Sequence, residues 1–129
     1  MASEHFVTGN MEGSSTVICT FWTLAQPISQ KLDSSQFAVC ANQYSYDGIN
    51  TIVRAIWSNP HWRDLILTGA DLTHAGDVWM AFFTSGIDEK GKVVGTNFTF
   101  QSEIPREALQ KLRESVVVHD LRGNPVDAL

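Results

Sequence analysis

Long apolar runs, paired cysteines and clustered basic residues are all missing from this sequence, and each absence removes a class of protein. No stretch comes near the roughly 20 apolar residues that a spanning helix needs, so no membrane association is expected. The opening fifteen residues have neither the basic nor the apolar region of a secretory signal. Only two cysteines occur, Cys19 and Cys40, each inside an apolar run. They read as buried free thiols in a reducing compartment, which places the chain in the cytoplasm. No Cys-x-x-Cys and no histidine pair at helical i, i+4 spacing is present, so a structural zinc site is not expected. Nine Lys and Arg against fourteen Asp and Glu leave a net charge of −5. A phosphate backbone would be repelled, and nucleic acid is not an expected partner. The glycines match neither the dinucleotide fingerprint nor the P-loop, and no Gly-x-Ser-x-Gly marks a covalent nucleophile.

What remains is an ordinary globular composition, 43% hydrophobic over 129 residues. That length suits one domain, which buries enough surface to fold without a disulfide or a metal. We expect a loose tail over residues 1–14, one domain over 15–120 and a second tail over 121–129. Within the domain, Thr16-Val-Ile-Cys-Thr-Phe-Trp-Thr-Leu24 is rich in β-branched and aromatic residues and reads as a buried strand. Pro27 suits the first turn of a short helix through Ile28 and Leu32. Phe37-Ala-Val-Cys40 is a second strand. Ile49, Ile52, Val53, Ile56 and Trp57 form the apolar stripe of a helix, which Ser45 or Asp47 can cap and Asn59-Pro60 stops. Asp64-Leu-Ile-Leu-Thr68 is the clearest strand. A helix follows from Gly76-Asp77, with Val78, Ala81 and Phe82 inward, and closes at Gly86. Pro105 opens the last helix, with Ala108, Leu109 and Leu112 on one face, before a final extended segment, Ser115-Val-Val-Val-His119. Strands alternating with helices predict an α/β fold: a three-layer, Rossmann-like domain with a mostly parallel sheet and right-handed crossovers.

In such a sheet, ligands bind at the carboxyl ends of the strands, near the point where strand order reverses. The richest loop there is Thr68-Gly-Ala-Asp-Leu-Thr-His-Ala-Gly-Asp77. Gly69 and Gly76 permit close backbone approach or positive φ, and the helix start offers unpaired N–H groups. Asp71, Thr73 and His74 are polar groups that the core cannot use, and a neutral His74 imidazole can ligate a metal or shuttle a proton. The plainer reading is that Asp71, Thr73 and Asp77 cap the helix while His74 is solvated. The loop Asn42-Gln-Tyr-Ser-Tyr-Asp-Gly48 offers Tyr44 and Tyr46, which either stack on a flat ligand or lid the sheet edge, and ends at Gly48. His61 and Trp62 read as a surface turn. A stand-alone enzyme using Asp71, His74 and Asp77 as acid–base groups is disfavoured, because no orienting triad is visible.

The run from Asp47-Gly-Ile-Asn-Thr-Ile-Val-Arg through Trp-Ser-Asn-Pro-His-Trp-Arg-Asp-Leu-Ile-Leu-Thr-Gly69 resembles the MtrA family, the A subunits of tetrahydromethanopterin S-methyltransferase. Ser85-Gly-Ile-Asp-Glu-Lys-Gly-Lys-Val-Val-Gly95 and Ile104-Pro-Arg-Glu-Ala108 continue the likeness, which covers most of the chain. The resemblance implies a ligand-binding module in one-carbon (methyl) transfer, carrying a corrinoid (cobalamin) and partnered by a methyltransferase. It implies that His74 is the lower ligand to cobalt, with Gly69, Asp71, Thr73, Gly76, Tyr46 and Gly48 around it and an acidic group such as Asp71 orienting the other ring nitrogen. The loop is shorter than the family's and lacks its glycine before the histidine. In this it is similar to MtrA-like domains attached to thymidylate-synthase-like proteins. The alternative implied is a non-corrinoid accessory subunit of such a pyrimidine nucleotide-modifying enzyme, with Tyr44, Tyr46 and Trp62 as interface anchors.

Overall fold

The computed structural model describes residues 6–123. The ends of both expected tails, including His5, lie outside the described residues. In chain order the elements are β1 (Phe6–Thr8), β2 (Thr16–Phe21), α1 (Ala25–Gln30), β3 (Val39–Asn42), α2 (Asp47–Ser58), β4 (Asp64–Leu67), α3 (Ala75–Ser85), α4 (Arg106–Ser115) and β5 (Val117–Asp120). They form an α/β fold around one five-stranded sheet of order β1-β3-β2-β4-β5. The pairs β3–β2, β2–β4 and β4–β5 are parallel, and only β1 runs antiparallel. The sheet is therefore mostly parallel, as expected. After β2 the chain moves outward to β3, then returns past β2 to β4, so strand order reverses between β2 and β4.

Alternation along the strands sorts the core into two unequal parts. Val17, Cys19 and Phe21 of β2, with Leu65 and Leu67 of β4, face the main core, where α2, α3 and α4 pack. Ile18 and Cys40 face the other way, against Ala25 and Ile28 of α1. Helices cover both faces, but one face has only the six-residue α1. Burial pushes the Cys40 thiol up to about 12, so it is an unreactive packing group. The other thiol, Cys19, is equally buried.

The α2 stripe buries Ile49, Ile52, Val53 and Ile56, each worth about 1.5–3 kcal/mol if fully removed from water. Its fifth expected member, Trp57, points outward and is 47% exposed. Trp62 goes the opposite way. Expected in a surface turn, it is 2% exposed, and its Nε1 donates to the Met11 carbonyl at 2.8 Å. That bond lets a large apolar ring enter the core with its one polar atom satisfied. It also helps tie down residues 6–14, which are expected to be loose and which instead include β1. The N-cap position of α2, expected for Ser45 or Asp47, is taken by Tyr46 without a side-chain bond, and the Asp47 carboxylate accepts from Asn50 Nδ2 at 3.2 Å. The second strand begins at Val39, two residues later than its apolar run, because the 3₁₀ turn Ser34–Gln36, capped by Asp33, delays entry into the sheet. No helix among the described residues is long and apolar enough to cross a membrane.

Candidate functional site

The reversal of strand order leaves the loops after β2 and β4 side by side, and the two are stitched together. Trp22 N–H donates to the Ala70 carbonyl at 2.9 Å, and Ala70 N–H donates to Thr23 Oγ1 at 2.9 Å. Gly69 makes this approach possible. Its φ is +80°, and a Cβ there would lie 2.5 Å from the Thr20 carbonyl oxygen and 2.8 Å from Thr23 Oγ1. The space that the missing side chain leaves is taken by the neighbouring loop. Asn42, at the end of β3, completes the junction: its Oδ1 accepts from Ala25 N–H at 2.8 Å, capping α1, while its Nδ2 donates to the carbonyls of Phe21 and Thr23.

Two non-glycine residues among those described have positive φ, and both sit at this edge: Phe21 at 52° and His74 at 60°. Left-handed backbone costs an L-residue about 1–2 kcal/mol, so each is held there by its surroundings. His74 occupies the N-cap position of α3. On one side Asp71 fixes the helix start, accepting from Ala75 N–H at 3.0 Å and Gly76 N–H at 2.8 Å. Capping by Asp71 agrees with the plainer sequence reading, and the same bonds account for its near-complete burial, its side chain being 6% exposed. On the other side Asp77 lies in the first turn of α3, its Oδ2 3.9 Å from His74 Nδ1. The carboxylate near the imidazole is thus Asp77. Asp71, expected to orient the ring, is committed to backbone and to Arg122.

Arg122 is the residue that sequence reasoning missed. Its Nη1 reaches Asp71 Oδ2 at 2.8 Å and Asp77 Oδ1 at 2.9 Å. Its Nε and Nη2 form a two-pronged pair with Asp120, both at 2.8 Å. The guanidinium is held more firmly protonated than usual, first by Asp120. In return its hydrogen bonds hold the Asp120 carboxyl below the ordinary carboxylate range. Arg122 falls in the expected loose tail, yet Leu121 N–H still bonds the Leu67 carbonyl at 2.7 Å, extending the sheet pairing by one residue. One signal in the sequence pointed to it: a lone arginine just past a strand that, if parallel to β4, must end beside the 68–77 loop.

The His74 ring is 77% exposed and borders an open groove of about 520 Å³. Tyr46, Asp77, Val78 and residues 96–99 line the rest. The Tyr46 hydroxyl donates to the Thr73 carbonyl, so of the two expected aromatics one reaches the loop. Tyr44 packs edge-on against Trp22, ring centres 4.9 Å apart. Thr73 Oγ1 is buried without a hydrogen-bond partner among the described residues. Gly76 is buried under Arg122. Gly48 is buried in the first turn of α2, away from the groove lining. No group of three or more His, Cys, Asp or Glu able to hold a metal ion exists among the described residues. His74 has one carboxylate beside it, Asp77 Oδ2 at 3.9 Å from Nδ1, too few donors to enclose a bare ion. An imidazole so placed fits a metal that brings most of its own ligands.

Fold and site together define an α/β domain with a histidine-bearing loop at the reversal point of a parallel sheet. The family model for MtrA, the A subunit of tetrahydromethanopterin S-methyltransferase, matches residues 1–125, and the chain belongs to that family. It is 28% identical over 122 residues to the A subunit of Mtx from Methanosarcina barkeri, named for a methyltransferase; the match covers 92% of this chain and 59% of that protein. It is 33% identical over 82 residues to a tetrahydromethanopterin S-methyltransferase A subunit (the one numbered 2) of Methanobrevibacter ruminantium, covering 60% of this chain and 42% of that protein. The chain thus spans about half the length of the curated relatives it matches.

Proposed function

We propose that this chain is a corrinoid-carrying module of a methyl-transfer system, partnered by a methyltransferase, in which His74 would hold the cobalt. The observation that supports this most is how the imidazole is held: left-handed at a helix N-cap, exposed over a groove, with one carboxylate, Asp77, beside it and no group of three or more potential metal ligands among the described residues. When bound, the corrinoid would supply the cobalt that takes up and releases the methyl group, chemistry no side chain provides. The protein's own part is to present the ring. Asp77 stands on the Nδ1 side, which leaves Nε2 for donation. Tyr46 fixes the Thr73 carbonyl just before the histidine, and the unpartnered Thr73 Oγ1 offers a hydrogen bond to a polar ligand. Gly69, Asp71 and Gly76 hold the loop rather than touch the ligand.

The test is an absorption spectrum. The chain mixed with hydroxocobalamin and passed through a desalting column should emerge coloured, with a spectrum shifted from that of the free compound. His74→Ala should lose the shift. A colourless wild-type chain would remove the corrinoid reading.

The second reading, a non-corrinoid accessory subunit of a thymidylate-synthase-like enzyme, is favoured by a different observation. Trp22, Leu24 and Leu72 are 40%, 60% and 67% exposed on the same loops. Tyr46, which is exposed, can still serve it as an anchor, whereas Trp62 is buried and cannot. Co-purification with such an enzyme, insensitive to His74→Ala, would support it.

A further inference from the structure

We propose that Arg122 is a positioning residue for His74, clamping the backbone on both sides of it and so tying the ligand loop to the segment that follows β5. This rests on the reading of His74 as the residue that would hold the cobalt. Three observations carry it. First, one nitrogen, Nη1, spans Asp71 and Asp77, which lie three residues before and three after the histidine. Asp71 in turn holds the N–H groups of Ala75 and Gly76, so the guanidinium, one carboxylate and the first turn of α3 form a continuous hydrogen-bonded unit. Second, Asp77 is shared. Its Oδ1 is held by Arg122 while its Oδ2 faces the imidazole, so the arginine fixes which oxygen the ring meets. Third, Gly76 is shaped around Arg122. A Cβ at position 76 would stand 2.5 Å from Nη1 and 2.7 Å from Cδ, so any side chain there must displace the guanidinium.

The anchor of this unit is Asp120, the last residue of β5, whose carboxylate takes the other two guanidinium nitrogens. The His74 loop is therefore held in place through the β5 end of the sheet, and a disturbance of the segment beyond β5 is transmitted to the ring.

The test begins with the cofactor-free chain, so that it does not depend on corrinoid binding. Amide exchange at positions 75 and 76 is measured in wild type, Arg122→Ala, Gly76→Ala and the double variant. We expect Arg122→Ala to speed exchange at both positions and leave the β2 and β4 amides unchanged. Gly76→Ala should do the same, although helix propensity alone would make alanine slow it. The double variant should exchange no faster than either single one, because both remove the same clamp. Arg122→Lys, which keeps the charge without the planar fork, should fall between. Unchanged exchange in Arg122→Ala, or additive acceleration in the double variant, would overturn the clamp. With hydroxocobalamin, Arg122→Ala should bind about tenfold more weakly, and the cobalamin it does hold should show less of the imidazole-ligated absorbance. Normal binding and absorbance in a variant whose exchange is accelerated would overturn the positioning role alone. A wild-type chain that takes up no cobalamin would sink the functional reading, while the exchange data would still decide the clamp.

Discussion

His74 and Arg122 show what single residues contribute and how differently each announces itself. The histidine sits in left-handed backbone for which glycine is the natural choice. Relieving that conformation is worth about 1–2 kcal/mol, and glycine's extra freedom in the unfolded chain returns about 0.4–1. His74→Gly is therefore expected to stabilise the protein by roughly 0.5–1 kcal/mol in urea unfolding while abolishing the cobalamin spectrum, a sign that the residue is kept for something other than stability. Acid unfolding probes the arginine. Asp120 has its folded-state carboxyl depressed below the ordinary value of 3.8, chiefly by its hydrogen bonds to Arg122. Its contribution is then fully present above the unfolded-state value and is lost as pH falls through the lower folded-state one. Unfolding free energy should fall as pH drops below about 4, and Arg122→Ala should flatten that part of the curve. An equally steep acid limb in the variant would count against the pairing.

At the scale of elements, the sheet's carboxyl edge is held by junctions between loops. Gly69 joins the β2 and β4 loops, and Gly69→Ala must both adopt φ of +80° and push against the Thr20 carbonyl. A loss of more than about 2 kcal/mol is expected, measured by chemical denaturation. The end of β3 is tied to α3 by a buried side-chain bond. Trp79 Nε1 donates to Gln43 Oε1 at 3.0 Å, and both residues are fully buried. Trp79→Phe removes the donor and leaves that oxygen, among the described residues, the weaker contact with the Cys19 thiol at 3.6 Å. The expected cost is about 1–3 kcal/mol, plus a small cavity term; a neutral result would mean that another donor reaches Gln43. Elements with strong periodicity were legible in the sequence: the α2 stripe, the Asp64 strand, the α3 stop at Gly86 and the α4 face. Among the misplacements were Trp57 and Trp62, where spacing and local context say nothing about which tryptophan finds a partner for its ring nitrogen.

At the scale of the whole molecule, strand order decides where a ligand can sit. Because β2 and β4 are neighbours, residues 22–24 and 68–74 meet, and the groove beside His74 is walled by residues 96–99 from a region more than twenty positions away. A cofactor bound there touches several elements and should stabilise the fold as one unit. At a hundred times its dissociation constant, hydroxocobalamin should add about 2.7 kcal/mol to the unfolding free energy, and His74→Ala should remove most of that gain. Thermal unfolding followed by circular dichroism, with and without the compound, gives the comparison; no stabilisation of the wild-type chain would argue against a bound state.

The amino-acid order alone determined the α/β class, the main helices and strands, and the position of a polar, glycine-flanked loop carrying a histidine. Those follow from periodicity and from the local chemistry of capping and turns, which neighbouring residues settle among themselves. The tertiary structure alone decided that one guanidinium joins Asp71 to Asp77, that Gly69 and Gly76 make room for protein groups, and that Arg122 belongs to the site. Those depend on contacts between residues some fifty positions apart, and a linear pattern does not encode which distant groups a sheet will bring to the same edge.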